Sequence, residues 1–152
     1  MLFHWAYKFA HTALVAFAFI FRPAMRGVNV AVWRDGRLLI IKNSYRQHYS
    51  VPGGYVKSGE SSQAAAVREL AEEVGIEAYP NQLKPVNQYV FKVHYKRETI
   101  DIFELTVGSH VSVSVDNREV VWAGFMTPDK ALTKDLCLPA KTYLEELIRI
   151  RK

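Results

Sequence analysis

From Gly27 onward apolar and polar residues alternate with period two. Val28, Val30 and Val32 fall on one side of GVNVAVW, as expected of a strand with one buried face. Arg34-Asp35-Gly36 supplies turn chemistry, and RLLIIKN from Arg37 to Asn43 returns as a second strand. A polar loop from Asn43 to Ser50 leads to Val51-Pro52-Gly53-Gly54, a turn whose two glycines permit close backbone approach. The period then changes to that of a helix. Ser61 or Ser62 is placed to cap it, Val67, Leu70, Ala71 and Val74 form an apolar stripe, and Gly75 ends it. Val86 to His94 and Thr99 to Val107 are two further strands about a charged turn, Tyr95 to Glu98. Gly108 to Asn117 alternates Val111, Val113 and Val115 with polar residues and fits an edge strand or an extended loop. Glu119 to Met126 is another strand. Thr127-Pro128 opens a short helix, and Pro139 opens a last one with Leu144, Leu147 and Ile148 on its apolar side.

The first 21 residues follow a different pattern. They are strongly apolar and rich in aromatics, and their polar residues, His4, Lys8, His11 and Thr12, share one face at helical spacing. The run from Ala13 to Phe21 falls short of the roughly 20 residues that a bilayer span requires. Lys8 ahead of an apolar run has the form of a secretory signal, but no small-x-small cleavage site follows between Phe19 and Gly27. Residues 1–22 are therefore expected to form an apolar helix. It would pack on its own domain or on a second subunit of a homodimer, or lie on a membrane surface. Pro23 breaks it, and residues 23–152 form one domain.

With 152 residues, 49% apolar and 23% charged, the chain has the composition of an ordinary globular protein with a conventional core. A net charge of +5 favours polyanionic ligands, nucleotides first, with nucleic acid or anionic membrane as weaker fits. The single cysteine, Cys137, rules out an internal disulfide and fits a reducing, cytoplasmic setting. Between Leu136 and Leu138 it is expected to be a small buried apolar residue.

The chemistry is concentrated in the helix that follows Gly54. Glu69, Glu72 and Glu73 stand at i, i+3 and i+4 and project from neighbouring turns. Like charges so close destabilise the helix unless something positive sits among them. Oxygen ligands of this kind suit hard cations such as Mg²⁺ and Mn²⁺.

Gly54, Glu60, Arg68, Glu69, Leu70, Glu72, Glu73, Gly75 and Ile76 fill every fixed position of a longer pattern. It runs Gly, five residues, Glu, seven residues, then Arg-Glu-aliphatic-any-Glu-Glu-any-Gly-aliphatic. This stretch resembles the Nudix box, and a full match is far more specific than a lone glycine motif. The resemblance implies an α/β/α sandwich with a mixed sheet, here with the added N-terminal helix. It also implies metal-dependent cleavage of a nucleoside diphosphate linked to another group. Glu69, Glu72 and Glu73 match the family's metal-binding glutamates, and the Gly53 carbonyl its backbone ligand. Arg68 would brace the acidic face through Glu72, and Glu60 would support the loop. A further glutamate outside the box serves some relatives as base, and Glu119 in Asn-Arg-Glu-Val-Val-Trp is the candidate here. Its alternative is a solvated acid at the start of a strand.

Recognition of the rest of the substrate is less clearly written. Lys42, Tyr45, Arg46, His48 and Tyr49 flank the loop before the box, with Lys42, Arg46 and Tyr49 the leading candidates to meet phosphate or stack on a base. Tyr49 stands where many relatives have Trp, and Phe91 stands where ADP-ribose pyrophosphatases carry their marker proline. Two other roles suit the same fold: a nucleotide-sensing module without catalysis, and a pyrophosphohydrolase acting on RNA 5′ ends.

Overall fold

A computed structural model of the protein describes residues 25–93, 96–115 and 117–151. The helix expected over residues 1–22, with its dimer or membrane-surface role, lies outside the described residues.

Strands β1 (Met25–Arg34) and β2 (Arg37–Asn43) form a hairpin closed by Asp35 and Gly36, both at positive φ, 50° and 71°. Asp-Gly is the pair that such a two-residue turn selects, because its twist matches that of the strands. β3 (Tyr49–Ser50) and β4 (Gly53–Tyr55) follow, then helix α1 (Ser62–Val74) and a short 3-10 turn (Pro80–Gln82). The chain continues through β5 (Lys84–Val93), β6 (Lys96–Thr106), β7 (Val120–Met126), α2 (Pro128–Leu132) and α3 (Leu138–Arg151).

The seven strands make one mixed sheet in the order β3-β2-β1-β6-β5, with β4 on β1 and β7 on β2. β1 and β6 run parallel from Met25↔Glu98 to Trp33↔Thr106, and all other pairs are antiparallel. β1 pairs with β2 only at Trp33 and Arg34, and farther along at Gly27, Val28 and Asn29 it takes β4 instead. That exchange of partners sets the glycine strand into the middle of the sheet.

Strand alternation splits the core in two. Val28, Val30, Val32, Leu39, Ile41, Phe103 and Leu105 pack under α1, against Ala65, Ala66, Leu70 and Val74. Ala31, Leu38, Ile40, Ile100 and Ile102 pack under α3, against Ala140, Tyr143 and Leu144. Burying each large aliphatic side chain contributes about 1.5–3 kcal/mol. The result is helix, sheet, helix, as the resemblance implied.

Several expectations need correction. Gly53-Gly54 is a strand as well as a turn, because β1 offers it a partner. Residues 96–98, expected in a turn, already belong to β6. From Gly108 to Val115 the chain is an extended loop without strand pairing; Val111, Val113 and Val115 rest on the α1-side core, and Ser114 donates its N–H to the Val74 carbonyl at 3.0 Å. On α1 the buried face is Ser62, Ala65, Ala66, Glu69, Leu70, Glu73 and Val74, while Ala71 is exposed. The buried stripe thus includes two of the acids rather than lying opposite them. Cys137 is only partly buried, and its neighbour Leu138 is 56% exposed. Among the described residues no helix is long and apolar enough to cross a membrane.

Candidate active site

Helix α1 is fixed at both ends. The Ser61 hydroxyl accepts the Ala64 N–H at 3.1 Å, and Gly75, at φ 66°, turns the chain out in the left-handed conformation that glycine adopts without strain. Ser62 donates to the buried Asp101 on β6 at 2.5 Å, which ties the helix start to the sheet. Burial opposes the charge on Asp101, but hydrogen bonds from Gln88, Ser62 and Arg26 outweigh it and hold the carboxyl below its usual range.

Held in this way, α1 lays Glu69 and Glu73 against the glycine strand. Glu73 is 3% exposed; its Oε2 accepts the Gly53 N–H at 2.7 Å and its Oε1 the Asn43 side-chain amide at 3.1 Å. Burial pushes its carboxyl up to about 7, against those two donors, and the charges of Glu69 and Glu119 push the same way. The Glu69 carboxylate lies directly over the Gly54 Cα, and a Cβ at residue 54 would overlap it. A Cβ on Gly53 would strike the Val28 carbonyl. Gly53 is thus required by the close approach of β1, and bare backbone at Gly54 is what lets the Glu69 carboxylate reach this strand.

Arg68 gathers three acids. Its Nε and Nη2 meet Glu60 at 2.9 and 3.1 Å, and its Nη1 meets Glu69 at 2.6 Å and Glu72 at 3.1 Å. It also donates to the Tyr55 carbonyl at 3.0 Å. The two-pronged pairing matches guanidinium geometry and restrains the loop before the helix. The Arg68 hydrogen bonds lower the Glu60 carboxyl to about 2, helped by the Lys57 N–H, and Glu60 in turn raises Arg68 above its ordinary value. Glu69 shifts upward, because its burial outweighs the pull of Arg68.

The structure separates what the spacing had grouped. Glu69 and Glu73 turn inward together, whereas the Glu72 side chain is 53% exposed and leans on Arg68. Among the described residues no three acidic, histidine or cysteine side chains converge as a metal cage. The donor chemistry nonetheless fits a hard divalent cation: all donors are oxygens, and two carboxylates are buried with too little positive charge to balance them. Glu119 joins this group from another element. Its Oε1 accepts the Tyr45 hydroxyl at 2.8 Å, and its charge acts on both Glu69 and Glu73. Ser44 clamps that junction through the Glu119 and Arg118 carbonyls, at 2.9 and 2.7 Å.

Of the expected recognition residues, Arg46 lines a cavity of about 340 Å³ on the α3 side of the glycine strand. Lys42 and Tyr49 lie outside that lining. Lys42 donates to the Gln47 carbonyl, and Lys42 and Lys134 stand 5.0 and 5.5 Å from the Tyr49 ring centroid; Trp122 meets the ring edge-on. His48 pairs with the exposed Asp135 at 2.8 Å. A larger open cavity of about 580 Å³ lies at the start of α1, but the Arg26, Ser62, Gln88 and Asp101 groups that line it are bonded to one another. Sequence reasoning passed over Asn43, the side-chain donor that holds Glu73. The available signal was a single amide continuing the buried face of Leu39 and Ile41 at period two.

Residues 23–147 match the NUDIX domain family. A MutT-like protein of Streptomyces ambofaciens is 30% identical over 71% of this chain and 68% of its own. The CTP pyrophosphohydrolase of Escherichia coli K12 is 27% identical over 82% of this chain and 91% of its own. An uncharacterized Nudix hydrolase of Bacillus subtilis is 34% identical, but the chain spans only 42% of that relative's length. The crystal structure of a MutT protein from Methanosarcina mazei superposes with a TM-score of 0.73, at 21% identity, covering 86% of this chain and 97% of that one, a likeness of fold. The intact box on α1, the mixed sheet between two helices and the family match over 23–147 agree, and the chain belongs to the Nudix hydrolase family.

Proposed function

We propose that this chain is a divalent-metal-dependent pyrophosphohydrolase that splits a phosphoanhydride bond in a nucleotide-type substrate. The observation that carries this reading is the pair of buried carboxylates, Glu69 and Glu73, pressed against bare glycine backbone with an excess of negative charge. Such a pair weakens the fold and is explained by the cation it would receive. Glu69, Glu72, Glu73 and the Gly53 carbonyl are the groups assigned to hold Mg²⁺ or Mn²⁺. A bound cation would neutralise charge on the phosphoryl oxygens as the bond breaks.

The chain's own residues supply the remainder. Glu119, oriented by the Tyr45 hydroxyl, accepts the proton of the attacking water, with Glu69 the second group within reach of that role. Arg68 keeps Glu60, Glu69 and Glu72 in place. Arg46, at the cavity wall, meets the anionic part of the substrate. The E. coli relative that acts on CTP supports a nucleotide as the class.

The test is a product assay with Mg²⁺ or Mn²⁺ across nucleoside triphosphates, nucleotide sugars, ADP-ribose, dinucleoside polyphosphates and capped RNA. Release of a nucleoside monophosphate from at least one of the small substrates is expected. Tight binding of a nucleotide without cleavage of any would overturn the reading in favour of a sensing module. Cleavage confined to RNA would move the substrate class to 5′ ends.

A further inference from the structure

We propose that the cavity beyond the glycine strand selects a nucleobase by its amino edge, and that the Glu98 carboxylate on β6 reads that edge. The inference rests on the reading that this cavity receives the substrate.

The cavity, about 340 Å³, is at the small end of the range for small-molecule sites. Gly53 and Gly54 form one wall, the same residues whose other side faces Glu73 and Glu69, so only the thickness of that strand separates a molecule seated here from the carboxylates. Gly27 is part of the floor. A Cβ there would come within 2.8 Å of the Ile100 side chain, so any larger residue would have to displace Ile100 from the cavity lining. Tyr55, on β4, is 47% exposed at the rim and offers a ring face on which a base can stack. Tyr55 and Glu98 line the same cavity, and burial, with the Glu98 charge pushing the same way, raises the Tyr55 hydroxyl above its ordinary value.

Glu98 lies across β1 from β4, in register with Met25, two residues from the Ile100 that faces Gly27 and Tyr55. Glu98 lines the cavity, and its carboxylate can only accept hydrogen bonds. Its oxygens favour an edge that presents N–H groups. Guanine, cytosine and adenine carry an exocyclic amino group on that edge. Uracil and hypoxanthine put a carbonyl oxygen in its place or leave the position bare. Carboxylate against carbonyl is repulsive, so discrimination arises from the rejected base as much as from the accepted one. Asn29, also on the wall, presents both a donor and an acceptor and does not choose between them.

Paired ligands that differ by this one group test the proposal. The full chain is titrated by NMR with GMP against IMP and with CMP against UMP. None of these carries a phosphoanhydride, so binding is read without turnover. In both pairs the amino base is expected to bind about 10-fold or more tightly, the worth of a charge-assisted hydrogen bond. Glu98→Gln, which removes the charge and adds a donor at the same size, should bring both ratios toward one by weakening GMP and CMP binding and strengthening UMP binding. If the amide variant does not fold, Glu98→Ala should bring the ratios together by weakening GMP and CMP. Equal affinities in the wild type, no binding of any of the four, or unchanged ratios in the variant would overturn the proposal. A clear amino preference in a protein that cleaves no anhydride would leave this inference standing and remove the hydrolytic one. Hydrolysis without base preference would do the reverse.

Discussion

The two helices that flank the sheet are of nearly equal length, 13 residues in α1 and 14 in α3, yet they bury different things. α3 presents Ala140, Tyr143 and Leu144 to the sheet and leaves Lys141 and Glu145 toward solvent, the ordinary division for an amphipathic helix, with Glu146 at its edge accepting from Tyr89 and Asn87. α1 buries Ala65, Ala66, Leu70 and Val74 but also two carboxylates, Glu69 and Glu73. Stability alone would place an aliphatic residue at either position. The difference between the helices therefore separates what the fold needs from what the chemistry needs.

Glu73→Gln is expected to have the largest effect. It keeps the size and one acceptor of the side chain while removing its charge, and should reduce metal-dependent turnover on the order of a thousandfold with the circular dichroism spectrum unchanged. A variant within a few-fold of wild type would make α1 as purely structural as α3.

A pH titration of stability in chelator should show the charge burden directly. The folded state holds the Glu73 proton more tightly than the unfolded chain does, since its carboxyl rises from 4.5 to about 7. The corresponding stability is fully present below 4.5 and lost as pH rises through 7, a change of about 3 kcal/mol. Glu60, lowered to about 2, acts in the opposite sense and in a lower window, its contribution disappearing as pH falls below 4.5 toward 2. Denaturant unfolding at a series of pH values measures both. Divalent cation should flatten the upper part of the curve, and Glu73→Gln should abolish it.

Leu144→Ala is the converse on α3. Leu144 is fully buried, and its truncation should cost about 2–5 kcal/mol in denaturant unfolding. Turnover per folded molecule should stay the same, and a selective loss of catalysis would contradict the division of labour.

Arg68→Lys should have the smallest effect. Lysine keeps the charge but cannot span Glu60 and Glu69 with a planar fork, and a 10- to 100-fold drop in metal affinity or activity is expected. Calorimetric titration with Mn²⁺ would separate the two.

The helix, its caps and its acids were legible because every relation involved, i to i+3 or i+4, is local. What the sequence concealed is orientation. Glutamate counts as polar in any periodicity, so the apolar stripe took in Ala71 and left out the metal-binding candidates Glu69 and Glu73, whereas tertiary packing buries both acids and exposes Ala71. The glycine strand was hidden for a related reason, since three residues become a strand only when β1 lies alongside. Tyr55, Glu98 and Gly27 come from three separate strands, and nothing in their own neighbourhoods says that they share a cavity. Asn43, by contrast, did leave a local trace. A lone amide closing the run RLLIIKN is out of place unless something buried needs its N–H.

Gly54 has a further consequence for how this protein can vary. A methyl group at that position meets the movable end of a side chain, the Glu69 carboxylate, rather than backbone. Alanine there would push the carboxylate aside and leave the sheet and helix intact. A survey scored by expression or melting temperature would accept such an allele as neutral, and one scored by turnover would reject it. Residue 54 is thus a place where abundance and activity come apart, and a variant found there in a natural population would call for an enzymatic assay before being judged harmless.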